Sequence, residues 1–345
     1  MKDETPQLGN VMNPDAAWVA KLSEPALEPD LPIVDPHHHL WQRAGNDYLF
    51  HDLLADTQTG HNIVATVFVD CHSMYRKDGP AELRCVGETE FANGVAAMSA
   101  SGLYGNLRAC AGIVGHVDLR LGSRAGAVFD AQIAAGNGRF KGIRHQTGWD
   151  ADPGIRNSRT DPTQELTRDS AWRAGFAELA RRNLTFDAWL YHPQLAEIAD
   201  LADAFPGTSI VLDHVGGPLG YAGYAGRHEE VRAAWKKSMT ELAKRRNVFV
   251  KVGGLGMAMG WFDFYRQPVP PGSQALADAF KPWVETSIDL FGVDRCMFES
   301  NFPVDKITSG YGVLWNAFKR LAADASAAEK AALFSGTASR VYRLD

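Results

Sequence analysis

A single (β/α)₈ TIM barrel with an N-terminal extension is the fold that this 345-residue sequence predicts. Three features predict it. Eight short runs rich in β-branched residues recur along the chain, segments of helical periodicity separate them, and no composition break or Ser/Gly-rich linker divides them. An open doubly wound sheet usually carries a Gly-rich phosphate turn after its first strand. Here that turn reads His37-His38-His39-Leu40-Trp41, which favours the closed barrel.

The strand runs fall at 31–35, 63–69, 107–114, 140–145, 184–190, 209–212, 248–252 and 296–300. Helices are expected at 80–100, 170–183, 193–204, 229–246, 273–291 and 311–323. In the second of these, Trp172, Phe176 and Leu179 repeat at helical spacing and form one apolar stripe. Residues 1–30 mix Pro, Asp, Glu and Asn around a small apolar patch at Trp18 and Val19; they read as an extension on the surface of a barrel spanning 31–345. The loops at 146–169, 215–228 and 253–272 follow strands four, six and seven. They therefore belong to the C-terminal face, where barrels of this kind keep their active sites.

Composition narrows the function classes. With 45% hydrophobic and 22% charged residues the chain can bury a large core, and its net charge of −6 offers no basic footprint for nucleic acid or an anionic membrane. No apolar run is long enough to cross a bilayer. The acidic start, Met-Lys-Asp-Glu-Thr-Pro, lacks the layout of a secretory signal. Cys71, Cys85, Cys110 and Cys296 show no zinc-knuckle or C-x-x-C spacing, so they read as reduced, mostly buried thiols. The expectation is a cytoplasmic protein acting on a small molecule.

The chemistry concentrates at strand ends. Strand side chains alternate, so His37 and His39 share a face and His38 opposes them. Two imidazoles at a barrel mouth can converge on one ion or one substrate oxygen. His192 and His214 also end strands, with His214 aligned by alternation with Ile210 and Leu212, and His192 with Ala188 and Leu190. His116 and His145, after strands three and four, are candidates for substrate contact or support. In the eighth run, Pro303 stops the strand and leaves Asn301 at its tip, Glu299 on the same face, and Asp305 in the following loop. A carboxylate inside a barrel needs a charged or hydrogen-bonding partner. Arg144, and further off Arg76, can clamp a substrate carboxylate; Lys141 and Lys251 add basic groups near the site. The Gly-, Met- and aromatic-rich loop at 253–271 suits either a lid over a substrate ring or packing against a second subunit of a homo-oligomer.

The ordered series Asp35-x-His37-x-His39, Gly142-Ile143-Arg144-His145, Tyr191-His192-Pro193-Gln194-Leu195, Leu212-Asp213-His214-Val215-Gly216-Gly217-Pro218, Val250-Lys251-Val252-Gly253-Gly254-Leu255 and Phe298-Glu299-Ser300-Asn301-Phe302-Pro303 resembles the amidohydrolase superfamily. Within it, the series is most similar to the amidohydrolase-related group that holds 2-pyrone-4,6-dicarboxylate lactonase and L-fuconolactonase. The resemblance runs from about residue 31 to the end of the chain. It implies a barrel enzyme using His37, His39, His192 and His214, with one divalent ion such as zinc or manganese at His37 and His39 in metal-dependent members. It also implies a strand-eight Asp that serves as ligand and base. This sequence departs there: Asn301 stands in its place, and an amide cannot take the proton of water. A metal-independent route is thus also open, with Glu299, Asp305 or a histidine as base. The resulting expectation is a hydrolase opening a carboxylate-bearing lactone of sugar-acid or aromatic catabolism. A metal-dependent decarboxylase or hydratase, and a non-catalytic binding barrel, are the rivals.

Overall fold

The computed structural model describes residues 12–344 and contains the expected barrel. Its strands are β1 (Pro32–His38), β2 (Asn62–Val69), β3 (Arg108–Gly115), β4 (Phe140–Ile143), β5 (Thr185–Ala188), β6 (Ile210–Leu212), β7 (Val248–Val252) and β8 (Cys296–Phe298). Each pairs in parallel with the next in sequence. The ring closes through the extended segment after β8: Asn301 N–H donates to the His37 carbonyl at 2.9 Å, and His39 N–H to the Phe302 carbonyl at 2.8 Å.

Helices cover the outside: α1 (Ala16–Val19), α2 (Phe50–Thr57), α3 (Val86–Ala100), α4 (Ala125–Gly136), α5 (Ser170–Arg181), α6 (Leu195–Ala204), α7 (His228–Leu242), α8 (Ser273–Phe291), α9 (Tyr311–Leu321), α10 (Ala327–Ala331) and α11 (Thr337–Tyr342). The sequence does not predict α1, α2, α4, α10 and α11. Four of these are about two turns or shorter, and α4, AGAVFDAQIAAG, is so rich in Ala and Gly that no polar face marks its period. The sequence also predicts strands four, five and eight longer than they are. At those ends the backbone leaves the ladder to aim polar side chains into the mouth.

The core has two parts. Outside the sheet, Ile33, Phe68, Ile113, Phe186, Leu212 and Phe298 meet the helices, with Trp172, Phe176 and Trp315 fully buried among them. Each such side chain contributes about 1.5–3 kcal/mol. Inside, a smaller cluster of Val34, Val67, Val69, Val211 and Met297 receives Val341 and Tyr342 of α11. The inward face of β6 is therefore Val211 and Asp213, not the 210/212 face from which His214 was expected to project. Residues 1–11 of the extension lie outside the described residues. Beyond them, Trp18 of α1 is buried and donates to the Gln267 carbonyl at 2.7 Å. Among the described residues no helix is long and apolar enough to cross a membrane, and all four cysteines are free and buried.

Candidate active site

Above the apolar filling lies a buried layer of charge. Lys251 of β7 donates to Asp187 at 2.6 Å and lies 3.1 Å from Asp213; the Tyr342 hydroxyl also donates to Asp187. Lys251 keeps its charge because these carboxylates, led by Asp187, outweigh the cost of burial. It was expected near the mouth but sits beneath it. Asp187, Asp213 and Glu299 face two fixed cations, Lys251 and Arg144, together with His37, so the buried carboxylates outnumber the fixed cations.

His37 rests on that layer. Its Nδ1 lies 3.1 Å from Lys251 Nζ and 3.0 Å from Glu299 Oε2. Burial, reinforced by Lys251, lowers its pKa to about 4, so it is neutral near pH 7. His39 donates from Nδ1 to the Val69 carbonyl at 2.8 Å, which leaves its Nε2 bare. That nitrogen is 3.3 Å from His37 Nε2, about the separation of two nitrogens bound at ~2.1 Å to one tetrahedral ion. His38 points away and accepts from Thr66 at 2.8 Å, as alternation requires.

His214 reaches the mouth through its backbone rather than by strand alternation. Its φ of +54° lies in the left-handed region and breaks the parity of β6. Glu299 then fixes the ring, accepting from the His214 backbone N–H at 3.1 Å and from Nδ1 at 2.7 Å. Burial would raise the Glu299 pKa, but His214 and His37 outweigh it and bring the carboxyl down to about 2. An ionised Glu299 can only accept, so Nδ1 carries the hydrogen and Nε2 is the nitrogen with a free lone pair.

A cleft of about 210 Å³ opens over these groups, with His39, Arg144, His214 and Asn301 in its wall. Trp41, Trp189 and Tyr191 give it aromatic surface, and Met257 to Met259 bring the loop after β7 over one side. Asn301 donates from Nδ2 to Asp305 at 2.8 Å; its Oδ1 is buried without a partner. Asp305 lies behind it, out of the cleft wall, accepting also from Gly256 N–H at 2.8 Å. Burial raises its pKa to about 7.

The other predicted residues scatter. Arg144 lines the cleft, but its guanidinium is pinned 3.4 Å from Asp213 and 3.6 Å from Asp70, and its Nη1 is 3.4 Å from His37 Nε2. His116 donates from Nδ1 to the Arg144 carbonyl at 3.1 Å, and the buried His145 accepts from Leu119 N–H, so both stand behind Arg144 rather than in the cleft wall. His192 accepts from Leu219 N–H at 3.3 Å and packs on Tyr224, also away from the cleft wall. Arg76 turns to the surface and pairs with Glu90, because its own N–H is tied back to the Arg84 carbonyl. Three basic cleft residues escaped the sequence reading: Arg43, Arg156 and Arg159. The Arg-x-x-Arg spacing within the long loop after β4 was the signal for two of them.

Among the described residues, ligand atoms of His37, His214 and Glu299 lie within 4.8 Å of one another, beside the bare Nε2 of His39. Together with the surplus of buried carboxylates, this donor set fits a divalent ion.

A barrel with paired histidines and a histidine–carboxylate couple at its C-terminal mouth has the makings of an enzyme site. The chain belongs to the amidohydrolase family, whose model matches residues 34–344, and it is a hydrolase of that family. It is 34% identical over 342 residues to the uncharacterized protein y4mH of Sinorhizobium fredii, covering 91% of this chain and 99% of that one. It is 28% identical over 236 residues to an L-fucono-1,5-lactonase of Burkholderia multivorans, covering 68% and 72%. A crystal structure of an amidohydrolase from Burkholderia multivorans with bound zinc matches with a TM-score of 0.69 at 25% identity, covering 91% and 99%.

Proposed function

We propose that this hydrolase opens the ring of a carboxylate-bearing lactone by attack of water at the barrel mouth. The observation that carries this reading is the 2.7 Å hydrogen bond from His214 Nδ1 to Glu299, which leaves an oriented, basic Nε2 on the cleft wall. His214 removes a proton from water as the oxygen bonds to the lactone carbonyl carbon. The ionised Glu299 stabilises the resulting imidazolium. His214 then returns the proton to the ring oxygen as the acyl C–O bond breaks, releasing the hydroxy acid.

Neither Asn301 nor Asp305 serves as the base in this scheme, since the first is an amide and the second is shielded by it. A zinc or manganese ion, when bound at His37 and His39, supplies Lewis-acid polarisation of the carbonyl. Arg43, Arg156 and Arg159 supply positive charge for a substrate carboxylate, and Trp189 and Tyr191 offer aromatic surface for its ring. The L-fucono-1,5-lactonase relative supports the lactone class.

The test is turnover of a lactone panel by untagged protein, with metal content measured by elemental analysis and activity followed before and after chelation. Ring opening that chelation abolishes supports the metal-assisted form. Ring opening by metal-free protein leaves polarisation of the carbonyl to N–H donors at the cleft wall, since the bare His39 Nε2 cannot supply one. Release of CO₂ without ring opening, or ligand binding without turnover, overturns the lactonase reading.

A further inference from the structure

Asp70, His72 and His116 form a second group of donors, at the ends of β2 and β3. One nitrogen from each imidazole and one carboxylate oxygen all lie within 4.8 Å of one another. We propose that this cluster is a second divalent-cation site, suited to a borderline ion such as zinc or cobalt(II), separate from the donors at the barrel centre.

The carboxylate is prepared as a ligand. Asp70 is fully buried, and its two oxygens face different neighbours. Gln146 Nε2 at 3.4 Å and Arg144 Nε at 3.6 Å attend Oδ2. Oδ1 accepts from the His72 backbone N–H at 3.3 Å, with His72 Nε2 3.9 Å away. The buried Glu88, whose pKa is pushed well above the usual range by burial and by Asp70, also hydrogen-bonds this carboxylate. One oxygen is thus held by outer partners while the other faces an imidazole, as in a carboxylate that ligates through one atom.

The histidines are prepared in the same sense. His116 donates from Nδ1 to the Arg144 carbonyl at 3.1 Å, so its Nε2 keeps a lone pair. A ring N–H given to a backbone carbonyl is the usual support of a metal-bound imidazole. His72 has φ +57°, and the buried Glu88 fixes the turn on either side of it by accepting the N–H groups of Cys71 at 3.0 Å and Ser73 at 2.8 Å. This conformation brings the His72 ring edge-on to His116, with centroids 5.2 Å apart.

Access and donor type complete the case. Both histidines are half-buried while Asp70 is sealed, so an ion can enter from solvent and keep water on its open side. Two imidazoles and one carboxylate select zinc-like ions over magnesium or calcium, which prefer all-oxygen sites.

The test titrates EDTA-dialysed, untagged protein with Zn²⁺ by calorimetry and with Co²⁺ by visible absorbance. The expected result is an ion that His72→Ala and His116→Ala each lose, while His39→Ala and Glu299→Gln retain it. If His72→Ala and His116→Ala both titrate like the wild type, the proposal is overturned. Millimolar zinc binding, as for scattered exposed histidines, also overturns it. Loss of this ion in the two variants, with no ion sensitive to His39→Ala, leaves the proposal standing and removes the metal from the proposed hydrolysis. Thermal melts accompany each variant, and His116→Gln replaces His116→Ala if the latter does not fold.

Discussion

At the residue scale the protein turns on the contact between His214 and Glu299. Glu299→Gln keeps the shape of the side chain but no longer favours Nδ1–H on His214, nor stabilises its charged form. We expect kcat on a cleaved lactone to fall by roughly 10²–10⁴-fold with little change in KM, measured by steady-state kinetics. Arg156→Ala and Arg159→Ala should act the other way: KM for a carboxylate-bearing lactone rises, while that for a neutral one of the same ring stays put. A pair of lactones differing only in the carboxylate checks this. His37, His39, His214 and Glu299 stand at strand ends in the sequence and come together in the structure, whereas His192, at another strand end, turns away from the cleft. Arg156 and Arg159 left only their Arg-x-x-Arg spacing as a trace and Arg43 none, since the path of a loop is set by contacts that no local pattern encodes. Arg76 misled for the same reason.

Asp305 carries a residue-scale signature of its own. Its folded pKa of about 7 lies above its ordinary value, so the folded state binds this proton more tightly than the unfolded one. Its contribution to stability is fully present below the ordinary carboxylate range and is lost as pH rises through about 7. His192, lowered by burial to about 4, runs oppositely: its contribution is present above the ordinary histidine range and is lost as pH falls toward 4. The melting temperature of the wild type relative to Asp305→Asn should therefore decline between pH 4 and pH 7. A flat difference across that range would contradict the assignment.

At the element scale the loop after β7 shows how tightly the site is framed. It begins Gly253-Gly254, and both glycines are there for space. A Cβ on Gly254 would fall 2.3 Å from His214 Nδ1, and one on Gly253 would fall 2.4 Å from the Glu299 carbonyl oxygen. Gly254→Ala should displace the His214 ring and cost stability of about 1–3 kcal/mol, read from urea denaturation, along with most of the hydrolytic activity. A variant that folds and turns over like the wild type would show that the ring does not need this position. Strands and most helices were readable because their periods persist for several residues. The turn at His214 was not, because a left-handed φ in a non-glycine residue is imposed by Glu299 from 85 positions away. The sequence reading reached the right residue by the wrong face of β6.

At the scale of the whole molecule, the barrel holds charge where most such cores hold branched aliphatics. Lys251 is fully buried with Asp187 and Asp213 and has no route to water. Lys251→Met removes the ammonium but leaves its carboxylates in place. We expect a loss of roughly 3–5 kcal/mol, measured by denaturant unfolding, and a smaller loss in a double variant that also carries Asp187→Leu. Barrel class followed from the rhythm of the sequence. The charged layer did not, because Asp187, Asp213 and Lys251 are brought together only by closing the ring.

The closing seam has a consequence for how activity arises in time. His37 belongs to the first strand and His39 follows it, Glu299 lies in the segment beyond the eighth, and the two are joined by the contacts after Phe298. A chain still emerging from the ribosome therefore owns the paired imidazoles early but gains its acid–base couple only when its last strand arrives. Half-barrels supplied as separate polypeptides should be inert alone and recover turnover on mixing only if they dock along that line. Catalysis thus reports that synthesis and closure are both complete.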